Sequence, residues 1–263
     1  MTGVQTCALP ISVMPLTWNK KYGIHYLYQP PFTASLGVFG NNISPALLND
    51  FLQAIPKKFR YWDISLNHGN FFQLSGFNLY ERINYTLSLK DNYDSIAECF
   101  RDNIKRNVKK SEQLKDSIQK DINVEAVIVL AKEQLQHFTN LSDSDFEQFK
   151  KLFGILYDKE MATSYGIRTS SGQLIASAAF FFSHQRAYYI LVGNHPNGKT
   201  SGASHALINT FIKDHAGQNV LLDFEGSDIR NLAFFYSSFG ATEEKYAAIK
   251  LNRLPLYLRW LKK

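Results

Sequence analysis

The stretch LLDFEGSDIRNLAFFYSSFGA, residues 221–241, decides how the rest of the chain is read. Its first residues continue an apolar run that suits a short buried strand, expected over 219–223. Gly226-Ser227 then breaks the run, and apolar side chains return at helical spacing through Leu232, Phe235, Tyr236 and Phe239, which predicts a helix over 228–239. The segment reads as strand, turn, helix. Two carboxylates, Asp223 and Glu225, stand at the strand end. They are expected to point to opposite sides, so that one of them faces any given cleft.

Working outward, the second half of the chain predicts a regular alternation. A run of Val and Ile at 124–130 reads as a strand, followed by a helix from about Lys132 and another after the caps Ser142 and Ser144. Three strands are expected at 161–168, 173–183 and 186–192, joined by turn signals at Ser170-Ser171-Gly172 and Ser183-His184-Gln185. A glycine-containing loop, NHPNGKTSG, leads to a helix over 203–216, and a last strand lies near 245–251. The order is β-α-α-β-β-β-α-β-α-β. Such a mixture of antiparallel runs and crossover helices predicts an α/β fold with a mixed sheet.

The first half is richer in aromatics. A strand is expected at 13–19, then an aromatic loop, YGIHYLYQPPFTASLGVFG, over 22–40. Ser44-Pro45 reads as a helix start, and strands are expected at 61–66, 71–74 and 83–89. A long helix over 95–118 is expected to link the halves, giving domains at 13–94 and 121–263 around a linker at 95–120.

Composition sets the outer limits. The chain has 263 residues, 45% hydrophobic and 20% charged, which places it among globular proteins and away from disordered or fibrous ones. No apolar run approaches the ~18 residues of a membrane span, and no Cys or His spacing suggests a zinc site. A soluble, cytoplasmic protein without a metal is the expectation. Net charge is +6, and its clearest concentration is RDNIKRNVKK, residues 101–110, where Lys105 and Lys109, and Arg106 and Lys110, stand one helical turn apart. That helix has two readings: a solvated face, or a surface for a polyanion such as tRNA. DNA is not an expected partner. His184, His195, His205 and His215 lack a nucleophile or metal-partner pattern.

Gly193, Gly198 and Gly202 precede the helix over 203–216. Tight turns before a helix N-terminus, with its unpaired N–H groups and positive dipole end, can hold a pyrophosphate, with Lys199 adding charge. They are also found where a chain simply turns. With the element order added, KTSGAS at 199–204 resembles the coenzyme A pyrophosphate loop of GNAT acyltransferases. It departs from the usual pattern at Lys199, where Gln or Arg is common, and at Ser204, where Gly or Ala is common. Residues 221–241 resemble the second domain of Fem-like proteins, a GNAT branch built from two GNAT-like domains, and Tyr236 and Gly240 fit the GNAT Tyr-x-x-x-Gly helix ending. ERINYTLSL, FRDNIKRNVKKSE and the Gln29–Phe32 loop are similar to the Fem domain junction.

The resemblance implies an acyltransferase with a tandem GNAT-like fold, moving an acyl group, acetyl by preference, from acyl-CoA to the amine of a small molecule or peptide. It implies Glu225 as the base that takes the amine's proton, with capping of the next helix as its other reading, and Asp223 as a second carboxylate of the site. Tyr236 is implied as the acid for the leaving group, or else a core residue. Backbone N–H groups near Val192 and Gly193 would hold the oxyanion where the strand splays. Gly198, Lys199, Gly202, Ala203 and Asn231 would contact acetyl-CoA or another acyl-CoA. Ser227 and the aromatic loop residues Tyr28, Gln29 and Phe32 would line the acceptor groove, although an aromatic loop also serves as core. Two alternatives stand beside this reading. One is Fem-type transfer of an aminoacyl group from tRNA to a cell-wall peptide precursor, and the other a GNAT-like domain that binds without catalysis.

The opening residues MTGVQTCALPIS (1–12) resemble the translation of a common sequencing-adapter oligonucleotide read from a GTG start. Natural sequence is therefore expected from about Val13, with the opening elements of the first domain missing.

Overall fold

The computed structural model describes residues 12–33, 35–135, 139, 141–226, 228–255 and 258. The adapter-like residues 1–11 lie outside them. The chain divides into two units, Met1–Arg82 with Lys245–Lys263, and Ile83–Glu244. The first begins with β1 (Ser12–Val13), β2 (Trp18–Lys21), β3 (Ile24–Tyr28) and β4 (Phe39–Gly40), so the expected aromatic loop contains two strands, β3 and β4. Helix α1 (Pro45–Ala54) starts as expected, with the Ser44 side chain accepting the Leu47 N–H and Pro45 in the first turn. Strand β5 (Phe59–Ser65) follows. Residues 71–74, expected as a strand, are irregular. Asn70 explains the loop preceding them: its buried amide exchanges two hydrogen bonds with the Val38 backbone, at 2.7 and 2.9 Å, in the manner of a strand partner.

Strand β6 (Leu79–Ser88) carries the chain into the second unit. The long helix expected over 95–118 is broken there into α2 (Tyr93–Glu98), α3 (Asp102–Gln113) and a strand, β7 (Ser117–Lys120). The cause is tertiary. Phe100 is buried edge-on against Phe239, with ring centroids 5.5 Å apart, and Arg101 takes an extended backbone and donates its N–H to the Ser238 carbonyl. Anchored in this way, the segment belongs to the second unit and is no linker. Cys99 is exposed at the end of α2.

The expected strand at 124–130 is the first half of a helix, α4 (Val124–Leu135). A short apolar run does not distinguish the two, and here Val127, Ile128, Leu130 and Ala131 are buried at helical spacing. The remaining elements are α5 (Asp143–Tyr157), β8 (Ala162–Arg168), β9 (Leu174–Ser183), β10 (Arg186–Asn194), α6 (Pro196–Ser201), α7 (Ala203–His215), β11 (Leu221–Asp223), α8 (Arg230–Ser237) and β12 (Thr242–Asn252). A capping box between Ser142 and Asp145 starts α5. Helix α6 occupies what reads from sequence as loop. The predicted element order therefore survives with its first strand moved to β7.

In the second unit the strands lie in the order β6-β11-β10-β9-β8-β7. All pairs are antiparallel except β10 with β11, so the sheet is mixed as predicted. Its core gathers Tyr165, Phe180, Leu207, Phe211, Leu222, Phe224 and Phe239. Strand β12 returns the chain to the first unit, where the order is β2-β3-β5-β12 and Leu27, Leu48, Leu52, Trp62, Ile64 and Ile249 form a separate core. Among the described residues no helix is long and apolar enough to cross a membrane.

Candidate active site where two strands part

Strands β10 and β11 run parallel only briefly. Arg186, Ala187 and Tyr188 match Leu221, Leu222 and Asp223, after which β11 ends while β10 continues to Asn194 paired with β9 alone. The β9 register slips between Tyr189 and Leu191, so Ile190 is the extra residue of a bulge. Asp223 and Glu225 stand where the pairing of β10 with β11 ends. Val192 and Gly193, expected at the splay, lie just beyond the bulge. Val192 packs on the core. Gly193 is pressed against α4, where a Cβ would come within 2.7 Å of the Ala131 backbone nitrogen.

Asp223 is buried and fully engaged. Its Oδ2 accepts from Arg186 Nη1 at 2.7 Å, and its Oδ1 accepts from Asn84 Nδ2 at 2.8 Å and from the Glu225 N–H at 2.9 Å. Arg186 reaches Glu244 with two further bonds, of 2.6 and 2.9 Å. Burial works against the guanidinium charge, and the bonds to Glu244 and Asp223 more than offset it, so Arg186 stays protonated.

Glu225 differs. Its Oε1 is buried without a hydrogen-bond partner among the described residues, although the residue as a whole is only half-buried. Burial, and then the charge of Asp223, hold its carboxyl well above the usual carboxylate range, with Arg186 opposing. Burial of this kind favours the protonated form of the carboxyl over the charged one. It is not a helix cap: α8 begins at Arg230 with Ile229 as its N-cap and no side-chain cap bond. Nor do Asp223 and Glu225 face opposite ways. Glu225 lies past the end of β11 in a left-handed turn, so strand alternation does not set its direction, and the two carboxyls are within electrostatic reach.

Tyr236 projects from α8 into the same region. It is buried, its ring stacked on Phe224 at 4.5 Å. Burial, and then the charge of Glu225, push its hydroxyl up to about 12, so it keeps its proton at neutral pH. The structure thus brings Asp223, Glu225 and Tyr236 together. Sequence reasoning missed the residues that organise them: Asn84, Arg186 and Glu244. Arg186 carried a signal, being a cation at the start of an otherwise apolar strand.

The other predicted contacts fall elsewhere. Gly202 takes a left-handed backbone (φ 84°) and donates its N–H to Gly198 O. A Cβ on it would lie 2.4 Å from the Asn107 carbonyl oxygen of α3, and one on Gly198 would lie 2.1 Å from that of Ile175. Ala203 is fully buried. Lys199 belongs to α6, but its side chain, like the whole of Ser227, lies outside the described residues. Asn231 is exposed in the first turn of α8. Tyr28, Gln29 and Phe32 belong to the first unit, where Gln29 ties its loop down, accepting from the Ser65 N–H and donating to Thr33 O.

No protein-family model matches the sequence, nor does any curated protein. Solved structures do. One described as FemX superposes with a TM-score of 0.66 at 13% identity, covering 98% of this chain and 89% of its own. L-PGS from Bacillus licheniformis gives 0.56 at 9% identity, covering 94% and 83%. A GCN5-related glucosamine N-acetyltransferase region of a fungal multi-domain GH3 β-N-acetylglucosaminidase gives 0.50 at 12%, covering 92% of this chain and 31% of that one. Likeness at such identities speaks to architecture alone, and by it this chain has a Fem-like GNAT fold.

Proposed function

We propose that the chain catalyses acyl transfer to an amine, with Glu225 as general base. The observation that carries this reading is the Oε1 of Glu225, buried and without a partner among the described residues, where the pairing of β10 with β11 ends. The amine nitrogen attacks the activated carbonyl carbon, and Glu225, as carboxylate, takes the proton the nitrogen loses. The bond from carbonyl carbon to leaving group then breaks, and Tyr236, protonated at neutral pH, supplies the proton the leaving atom needs. Backbone N–H groups of β10 beyond Tyr188 are the candidates for the oxyanion.

Two donors suit the fold, and α3 bears on both. An acyl-CoA pyrophosphate was expected at 198–203, but Gly198 and Gly202 are taken up by close backbone packing, the latter under α3. The same helix exposes Lys105, Arg106, Lys109 and Lys110, and none of them has an ion-pair partner among the described residues. This favours an aminoacyl-tRNA donor, with acyl-CoA as the alternative. The acceptor is then the amine of a peptide such as a cell-wall precursor.

The test is binding and turnover together. Charged tRNA should bind with strong salt dependence, and changing Lys105, Arg106 and Lys109 to Gln should lower the log–log salt slope by about 0.7–0.9 per lost phosphate contact. Salt-independent binding, or turnover with acetyl-CoA in the absence of tRNA, would transfer the reading to the other donor.

A further inference from the structure

Glu225 has φ 64°, in the left-handed region where a non-glycine residue is uncommon, and Gly226 follows it at φ 80°. Two consecutive residues in this conformation turn the chain sharply just after β11. Something must hold a glutamate there. The Glu225 N–H donates to Asp223 Oδ1 at 2.9 Å, and the Gly226 N–H donates to Asn84 Oδ1 at 2.6 Å. Asn84 itself donates from Nδ2 to that same Asp223 oxygen at 2.8 Å, and its Oδ1 also accepts the Tyr85 N–H at 2.8 Å. Asn84 is buried, and it comes from β6, 142 residues away from Gly226.

We propose that Asn84 is the positioning residue of this site: its amide, acting with Asp223, locks the left-handed turn that presents the Glu225 carboxyl to the opening between β10 and β11. The role calls for an acceptor and a donor on one short planar head. An aspartate would set a second carboxylate against Asp223, and a hydroxyl would not span both partners. Arg186, tied to Asp223 and Glu244, holds the clamp from the other side. The charged or titratable groups around Glu225 are then Asp223 from β11, Arg186 and Tyr188 from β10, Glu244 through Arg186 and Tyr188, and Tyr236 from α8. The inference rests on Glu225 being the working carboxyl, and the turn itself can be examined without turnover.

The experiment is a double-mutant cycle on the full chain, read by thermal melting and by NMR titration of the Glu225 carboxyl. Glycine adopts the left-handed turn unaided, so Asn84→Ala should lower Tm less when Glu225→Gly is also present. With Glu225 kept, Asn84→Ala should move the Glu225 titration down by about one pH unit or more, as the freed carboxyl reaches water. In turnover, kcat should fall about tenfold or more with KM nearly unchanged. Should Asn84→Ala not fold, the milder Asn84→Ser enters the same cycle. Equal Tm losses in both backgrounds together with an unmoved Glu225 titration would overturn the proposal. Absence of turnover in the unmodified chain, with the cycle behaving as expected, would defeat the acyltransferase reading and leave the clamp standing.

Discussion

Two glycine-bearing turns in the second unit each lead from a strand to a helix, and they behave in opposite ways. The connection between β10 and α7, which includes α6, has its glycines pressed against carbonyl oxygens, at Ile175 for Gly198 and Asn107 for Gly202. The turn between β11 and α8 instead puts a glutamate into the left-handed region and leaves its Oε1 without a partner among the described residues. Glycine marks where backbone approaches backbone, which serves packing as readily as phosphate binding. An unsatisfied buried acid marks a place where stability has been spent on something other than packing.

The comparison can be strained from several directions. The largest effect is expected at the ion cluster that supports the second turn. Arg186→Ala leaves buried Asp223 and half-buried Glu244 without their cation, and about 3–5 kcal/mol should be lost, read by urea unfolding. A loss under about 1 kcal/mol would mean that water reaches the cluster freely.

Next comes the first turn. Gly202→Ala adds left-handed strain to a clash with the Asn107 carbonyl and should cost about 2–4 kcal/mol. A neutral result, accompanied by improved or unchanged CoA binding, would show that α3 can lift away and would return acyl-CoA to first place.

The pH dependence is subtler. The Glu225 carboxyl is raised in the folded chain, so between its unfolded value, about 4.3, and its folded one the native state holds more protons than the unfolded state. Its contribution to stability is present below the lower value and is lost as pH rises through the higher. Glu225→Gln removes that slope. The variant should become the more stable of the two chains as pH rises above about 4.3, by as much as about 1.4 kcal/mol per unit of pKa elevation. Parallel stability curves would mean that Glu225 is not desolvated.

Much of the architecture was readable in advance because it is local. Ser44-Pro45 and Ser142 act through neighbours three residues away, and the strands from 161 onward are bounded by turn residues. The misreadings share a cause. The run at 124–130 satisfies strand and helix alike until its packing partner is known, and the break at Phe100 and Arg101 exists because Phe239 and Ser238 receive them. The carboxylates of the site were visible as residues, but Asn84 was not, since nothing near it in sequence announces that β6 will lie beside β11. Its bond to Asp223 spans 139 residues. The expected glycine loop holds helix α6, and what Gly202 packs against became legible only once α3 was placed.

The most direct test of the central claim is a turnover comparison between the unmodified chain and Glu225→Gln, with aminoacyl-tRNA or acyl-CoA as donor and a peptide amine as acceptor, at matched folded fraction. Loss of a general base predicts a fall in kcat of about 10²–10⁴-fold with the fold intact. Equal turnover by the two proteins would contradict the account.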